Sequence, residues 1–383
     1  MGGNFPRGRT AIAGYATYGM GEAPGHSSLE IAAQASLRAV ADAGLNMADI
    51  DGLFICLPDD FFAGMSLAEY FGLSPRFTDN NRTGGSSFMC HMITAAMMID
   101  AGYIDTALIA YGSNQRTNSG KLASAFRPNA WDLPYRPLFP VSPYALAAAR
   151  HMHDYGTTRE HMAAVAVAAR QWANTNPEAF AKGPLSIEDC LAARMVSSPI
   201  SVRDCCLVTD GGAAIVMTRT DRARGLHPKP VPLLGAAAAT WWNSIAQAAD
   251  VTTTSAAESG PRAYAAAGLG PQDMDVVQLY DAFTINTILF LEDLGFCPKG
   301  EGGRFVADGH IAPGGSLPVN TNGGGLSCCH PGMYGLFAII EAARQIRGEA
   351  ANQMPDVHVA LAHGNGGTLS SQATVILGSL ATI

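Results

Sequence analysis

The chain has 383 residues, 48% of them hydrophobic and only 15% charged, enough apolar side chain for a large core spread over two or three domains and too much for a disordered protein. Its net charge of −8 excludes general nucleic-acid binding, which needs a surplus of cations, although 24 Lys and Arg leave room for a local basic patch facing an anionic ligand. No run reaches the roughly 18 consecutive apolar residues that a membrane-spanning helix requires.

From its first residue, MGGNFPRGRTAIAGYATYG has neither the charged-then-apolar pattern of a signal peptide nor a Ser or Thr at position 6, where Pro6 stands, so neither export nor myristoylation is expected. The eight Cys form no CxxC pair and no metal-ligand spacing, which predicts reduced thiols, no metal site and a cytoplasmic setting. A strand pattern, AIAGYAT, covers 11–17. Residues 38–55, RAVADAGLNMADIDGLFI, read as a helix that a left-handed Gly ends, a short acidic turn and an apolar strand. A second helix fits 79–102, DNNRTGGSSFMCHMITAAMMIDAG, ending at Gly102; its GGSS run is too short for a nucleotide-binding loop. The strand DTALIAYGSN (105–114) follows.

Residues 115–200 break this alternation with AFRPNAWDLPYRPLFPVSPY and then helical patterns from about 144 to 182. That composition suits a loop domain lying over a pocket, or a purely structural cap. Arg116, Lys121 and Arg150 flank it and could meet phosphates, although scattered cations more often form a solvated face.

The pattern then starts again. PVPLLGAA (230–237) mirrors the first strand, and RAYAAAGLGPQDMDVVQL (262–279) matches 38–55 without a gap at eight of eighteen positions, Arg38/Arg262, Ala39/Ala263, Ala43/Ala267 and Gly44/Gly268 among them. DVHVALAHGNGG (356–367) mirrors 105–114. Alternating helix and strand patterns in two copies predict an α/β protein of two similar halves, 1–229 and 230–383, with the loop domain of about 115–200 inserted in the first. Trp241 and Trp242 could line an apolar acyl pocket or fill the core, and the core is the expectation.

Four stretches of the chain, in order, are similar to the thiolase superfamily, close to the sterol-carrier-protein thiolases and the thiolase-like aldolases of steroid side chains: DCCLVTDGGAAIVMT (204–218), LYDAFTINTILFLEDLGFCPKGEGGRFVADG (279–309), LPVNTNGGGLSCCHPGMYG (317–335) and ALAHGNGGTLSSQATVILG (360–378). The resemblance implies the five-layered αβαβα thiolase fold and a homodimer or an assembly built on one. It also implies an acyl-CoA substrate, with coenzyme A part of that substrate and no tightly bound cofactor. The thiolase-like aldolases further imply a small OB-fold partner, often with a zinc ribbon.

The resemblance places Gly85 where the family carries its nucleophilic Cys, with Ser86 adjacent; glycine cannot be acylated, so the usual covalent route has no starting point there. Cys90, Cys328 and Cys329 are then either displaced nucleophiles or small buried side chains. His330 matches the His of the family's Gly-His-Pro motif, a base; His363 stands where thiolases carry the second Cys that moves the α-carbon proton. Tyr280 replaces the family's Asn or His, and Asp281 its acidic neighbour, expected to orient rather than react. The turn Gly364-Asn365-Gly366-Gly367 is expected to aim N–H groups at an enolate.

Equivalent loops of duplicated halves meet at one crevice, so His330 and His363 are expected to share a pocket with Tyr280 close by. The favoured activity is a retro-aldol cleavage beside a CoA thioester, which needs no nucleophile. The alternatives are a thiolase or acyltransferase that uses a displaced Cys, and a non-catalytic acyl-CoA-binding subunit.

Overall fold

The computed structural model describes residues 5–119 and 129–383. Lys121 and the first four residues lie outside them. In the first half, β1 (Thr10–Gly21), α1 (Ser28–Asp42), β2 (Gly52–Ile55), α2 (Ala63–Phe71), β3 (Phe77–Asp79), α3 (Ser87–Asp100) and β4 (Thr106–Ser113) follow one another. The region after β4 holds α4 (Gln115–Ser119), α5 (Val141–Tyr155), α6 (Arg159–Thr175), α7 (Ile187–Leu191) and the small hairpin β5 (Met195–Ser197) and β6 (Ile200–Ser201). β7 (Asp210–Arg219) and α8 (Thr220–Leu226) lead into β8 (Val231–Thr240), α9 (Ala256–Ala267), β9 (Val276–Leu279), α10 (Thr284–Asp293), α11 (Gly302–Ala307), α12 (Gly335–Arg347), β10 (Val359–Gly366) and β11 (Ser371–Gly378).

The strands run β3-β2-β4-β7-β1 and continue as β8-β11-β10-β9. The two sets join edge to edge where Ala11 faces Pro232 and Ile12 faces Val231. Reading outward from that seam gives the same order twice: β1 answers β8, β7 answers β11, β4 answers β10 and β2 answers β9. Val319 bridges Val277 in parallel, in the place that β3 holds beside β2. Helices α3 and α12 pack on each other and on strands of both sets, α1 covers the first set and α9 the second. This is the layered α/β duplication expected from the sequence.

The repeated alanines have a structural reason. A Cβ on Gly14 of β1 would lie 2.3 Å from the Ala39 carbonyl and 2.5 Å from the Ala43 nitrogen; on Gly235 of β8 it would meet Ala263 and Ala267 in the same way, at 2.5 and 2.7 Å. Strand and helix backbones touch in both copies, so the strand needs Gly and the helix face needs Ala. Each helix then stops at a left-handed glycine, Gly44 (φ 68°) and Gly268 (φ 67°). At the start of α1, Ser27 and Glu30 form a capping box.

The region between β4 and β7 is held to the second half. The buried His151 of α5 meets the Glu292 carboxylate of α10 at 3.0 Å, and Lys299 meets the same carboxylate at 3.2 Å. Arg347, wholly buried at the end of α12, spans the halves through Asp42, Ala13 and Lys229. Among the described residues no helix is long and apolar enough to cross a membrane.

Candidate active site

A cavity of about 650 Å³ opens where the two strand sets meet the region after β4. Gly84 and Gly85 line it from the start of α3, Phe139, Pro140 and Tyr144 from the start of α5, and Trp241 and Trp242 from the loop after β8. Tyr280 and Phe283 enter after β9, His330 from the loop before α12, and Asn365 to Gly367 from the end of β10.

Gly85 and Tyr280 share one volume. A Cβ on Gly85 would lie 1.8 Å from Tyr280 Cε2 and 2.5 Å from its Cδ2, far inside any real contact. The phenol ring occupies the position a side chain at 85 would take. The Tyr280 hydroxyl lies 3.0 Å from His330 Nε2 and donates to the Gly332 carbonyl at 3.3 Å. Burial holds His330 unprotonated down to about pH 4 and pushes the Tyr280 phenol well above its ordinary value, so this pair is neutral at working pH. His330 Nδ1 is buried and has no hydrogen-bond partner.

The loop carrying His330 is fixed from behind. Thr209 Oγ1 accepts the His330 N–H at 3.0 Å, and Gln115 donates to the His330 carbonyl at 2.6 Å. Asp281 follows Tyr280 in the chain. It is buried outside the cavity lining, and its carboxylate accepts N–H bonds from Gly325 (2.6 Å) and Leu326 (3.3 Å), in a π-helical turn at Gly324–Cys328. Burial pushes its carboxyl up to about 7, against those bonds.

Several expectations need correction. His363 does not face the cavity: it is fully buried in β10, with Nε2 2.9 Å from Gln372 Oε1 and Nδ1 2.9 Å from Thr374 Oγ1. His363 lies one pleat deeper in the strand than Asn365, which shares its face and reaches the cavity at the end of β10. Gly364 and Gly366 belong to that strand and not to a turn, pairing with Ala373 and Ser371. They are glycine because the start of α3 lies against them: a Cβ on Gly364 would lie 2.8 Å from the Gly85 carbonyl, and one on Gly366 2.0 Å from the Thr83 carbonyl. Gly366 and Gly367 reach the cavity wall; Gly364 does not.

Ser86 is buried beneath the cavity and donates to Ser371. Cys90, Cys328 and Cys329 line no part of the cavity. Burial pushes the Cys90 thiol up to about 11 and raises Cys329 well above its ordinary value, the reverse of what a nucleophile requires. Trp241 and Trp242 are wall residues rather than core, and Trp241 is 44% exposed. Arg116 and Arg150 pair with Glu22 and Asp154 and take no part in the cavity, whereas Arg82 lines it.

Sequence reasoning missed Tyr144, Cys206 and Arg82. Tyr144 sat unremarked in the Pro- and aromatic-rich stretch, and Cys206 in a strand-entry motif. Neither carried a spacing that would mark it.

Residues 237–379 match the family model described as Thiolase C-terminal domain-like. The chain is 34% identical over 370 residues to a steroid side-chain-cleaving aldolase of Thermomonospora curvata, covering 91% of this chain and 93% of that one. The chain belongs to the thiolase superfamily. Within the superfamily it is also 34% identical to a 17-hydroxy-3-oxo-4-pregnene-20-carboxyl-CoA lyase of Mycobacterium tuberculosis, over 94% of this chain and 97% of that one. The solved structure of an Ltp2-ChsH2(DUF35) aldolase superposes with a TM-score of 0.89 at 34% identity, covering 97% of this chain and 98% of that one. This thiolase-superfamily chain is therefore an enzyme, and its fold is the thiolase fold.

Buried His363 gives a direct test of its placement. Its pKa is lowered by burial from 6.5 to about 4, so the unfolded chain takes up a proton there below pH 6.5 and the folded chain does not. The stability it contributes is present above pH 6.5 and lost as pH falls towards 4. The stability advantage of wild type over His363→Gln, from urea unfolding, is expected to shrink by about 2 kcal/mol between pH 7.5 and 5.0. A constant difference would mean that the ring is solvated.

Proposed function

We propose that the protein cleaves, or in reverse forms, the Cα–Cβ bond of a β-hydroxyacyl-CoA by a retro-aldol reaction without a covalent intermediate. The observation that carries this reading is Tyr280: its ring fills the space of the family's nucleophile, and its hydroxyl is paired with His330 inside the cavity. The relatives named as an aldolase and a CoA lyase support the same chemistry.

In the cleavage direction the phenol proton of Tyr280 turns from the Gly332 carbonyl to His330 Nε2, free of hydrogen in the Nδ1–H tautomer, and moves onto it as the substrate's β-hydroxyl gives its proton to Tyr280 Oη. The Cα–Cβ electron pair collapses onto the thioester as an enolate, and a ketone or aldehyde departs. The proton then returns through Tyr280 to the α-carbon, so the pair ends as it began. A buried pair that is neutral at rest suits a proton that is borrowed and returned better than one that is kept. The cavity wall of Trp241, Trp242, Phe139 and Phe283 suits a bulky apolar acyl group.

A homodimer or dimer-based assembly belongs to this reading. So does a small OB-fold partner, often with a zinc ribbon, since the similar solved structure is named for Ltp2 together with ChsH2(DUF35). The rival thiolase reading requires a displaced Cys, and a non-catalytic acyl-CoA-binding role leaves the Tyr280–His330 pair without a purpose.

Two measurements separate these. Cleavage of a β-hydroxyacyl-CoA is expected to proceed with no added coenzyme A, yielding one shorter acyl-CoA and one carbonyl product. Intact-protein mass spectrometry after rapid mixing is expected to show the unmodified chain, with Cys90→Ala, Cys328→Ala and Cys329→Ala each keeping most of their activity. A dependence on free coenzyme A, together with an acyl adduct on one of these thiols, would establish the thiolase reading instead.

A further inference from the structure

His363 does not reach the cavity, yet it is connected to it. His363 Nε2 meets Gln372 Oε1 at 2.9 Å, Gln372 Nε2 donates to Asn365 Oδ1 at 2.7 Å, and Asn365 Nδ2 donates to Tyr144 Oη at 2.9 Å. Behind His363, Thr374 Oγ1 meets Nδ1 at 2.9 Å and Ser259 Oγ meets Thr374 at 3.0 Å. The far end is Tyr144, which lines the cavity with Gly367 and whose hydroxyl donates to the Gly367 carbonyl at 3.2 Å.

This chain of bonds has a direction. A carbonyl oxygen can only accept, so Tyr144 must donate at Gly367, and its oxygen is left to receive the Asn365 N–H. The Asn365 carbonyl oxygen then accepts the Gln372 N–H, and the Gln372 oxygen accepts the His363 Nε2–H. A neutral imidazole has one N–H, so Nδ1 accepts from the Thr374 hydroxyl, which in turn accepts from Ser259. Every side chain is satisfied in one sense, with all donors aimed at the cavity. Networks of this kind strengthen along their length where the dielectric is low.

Resting on the retro-aldol reading above, we propose that Tyr144 is a second catalytic hydroxyl, donating its hydrogen bond to the thioester oxygen as the enolate develops, with Asn365, Gln372 and His363 as positioning residues that keep its proton turned into the cavity. No proton is transferred; the bond shifts from the Gly367 carbonyl to a substrate oxygen that becomes the stronger acceptor as charge builds on it. The ring is held in place by Phe283, whose centroid is 4.3 Å away. The inserted region between β4 and β7 thus supplies a reacting group as well as a roof. His363 keeps a place in the reaction through the polarity of its hydrogen bonds.

The test is α-proton exchange, which reports enolate formation whatever the natural acyl chain is. Acetyl-CoA and propanoyl-CoA are incubated in D₂O with wild type, and deuterium gain is read by mass spectrometry. Tyr144→Phe is expected to slow exchange by about 10²-fold, with KM within about threefold and the thermal midpoint nearly unchanged. Asn365→Asp offers the tyrosine a carboxylate acceptor and reverses the polarity; it is expected to lose as much, and the double variant no more than either alone.

A merely structural role predicts instead additive losses and a lowered thermal midpoint. Exchange by wild type that is unaltered in Tyr144→Phe, or additive losses in the double variant, would overturn the inference and leave the retro-aldol reading standing. No exchange by wild type with either acyl-CoA would remove both.

Discussion

Tyr280→Phe is expected to lower the turnover of any β-hydroxyacyl-CoA that the wild type cleaves by about 10² to 10⁴, the range for loss of a positioned acid or base. The ring stays where Gly85 requires it, so the shape of the cavity is kept and KM should move by no more than a few-fold. Only the hydroxyl is removed, and with it the 3.0 Å contact to His330 and the 3.3 Å contact to Gly332. His330 Nε2 is then buried without a partner, which costs about 1 to 3 kcal/mol of stability and shows as a lower thermal midpoint. His330→Ala should fall within the same range, and the double variant should be little worse than either, because one proton path is broken once. Near-wild-type turnover by Tyr280→Phe would remove the phenol from the chemistry.

Much of the fold was legible in the sequence because the duplication is written in residues that backbone contact demands. Ala39, Ala43, Ala263 and Ala267 are alike because Gly14 and Gly235 bring a strand against a helix twice in the same way. Gly44 and Gly268 mark the same helix end because few other residues sit comfortably at φ near 68°. These are local constraints, and local constraints survive in a sequence.

The cavity was legible only where a motif named a residue, as at Tyr280, His330 and Gly85. Tyr144 is more than two hundred residues from its partner Asn365, and nothing in VSPYALAA sets it apart from a helix packed on a core. His363 shows the converse. Motif position put a proton carrier there, but β10 runs on to Gly366, which leaves His363 one pleat short of Asn365 and of the strand end that meets the cavity. Gly364 and Gly366 suggested a turn, whereas the cause is the segment Thr83–Ser86 lying across them, a contact between halves that no local pattern records.

The interlock of Gly85 with Tyr280 leads to the second large effect. Gly85→Cys puts a thiol where the resemblance places the family's nucleophile, yet the single variant is expected to lose both activity and stability. Its Cβ would need the space of Tyr280 Cε2, 1.8 Å away, with the Asn365 carbonyl 2.8 Å on another side. A phenol ring carried on the link from β9 to α10 and bonded to His330 cannot give way by that much without leaving its partner, and overpacking of this degree costs about 3 kcal/mol or more. Adding Tyr280→Asn, the smaller residue found in the family, removes the obstacle. The double variant is expected to recover most of the lost thermal stability and to place a thiol just ahead of α3, where the helix terminus favours the thiolate.

Incubated with acetyl-CoA, that double variant should gain one acetyl mass, and iodoacetamide should block the gain; neither wild type nor either single variant should be acylated. The retro-aldol activity should be absent from it, because the phenol is gone. Should Gly85→Cys alone fold normally and take up the acetyl group, Tyr280 would not be what excludes the nucleophile, and the covalent route would have been lost for want of a thiol alone. The expected pattern instead makes residues 85 and 280 a single switch between two chemistries on one backbone. With a thiol ahead of α3 the site can form an acyl-enzyme; with a phenol in the same volume it can only move protons.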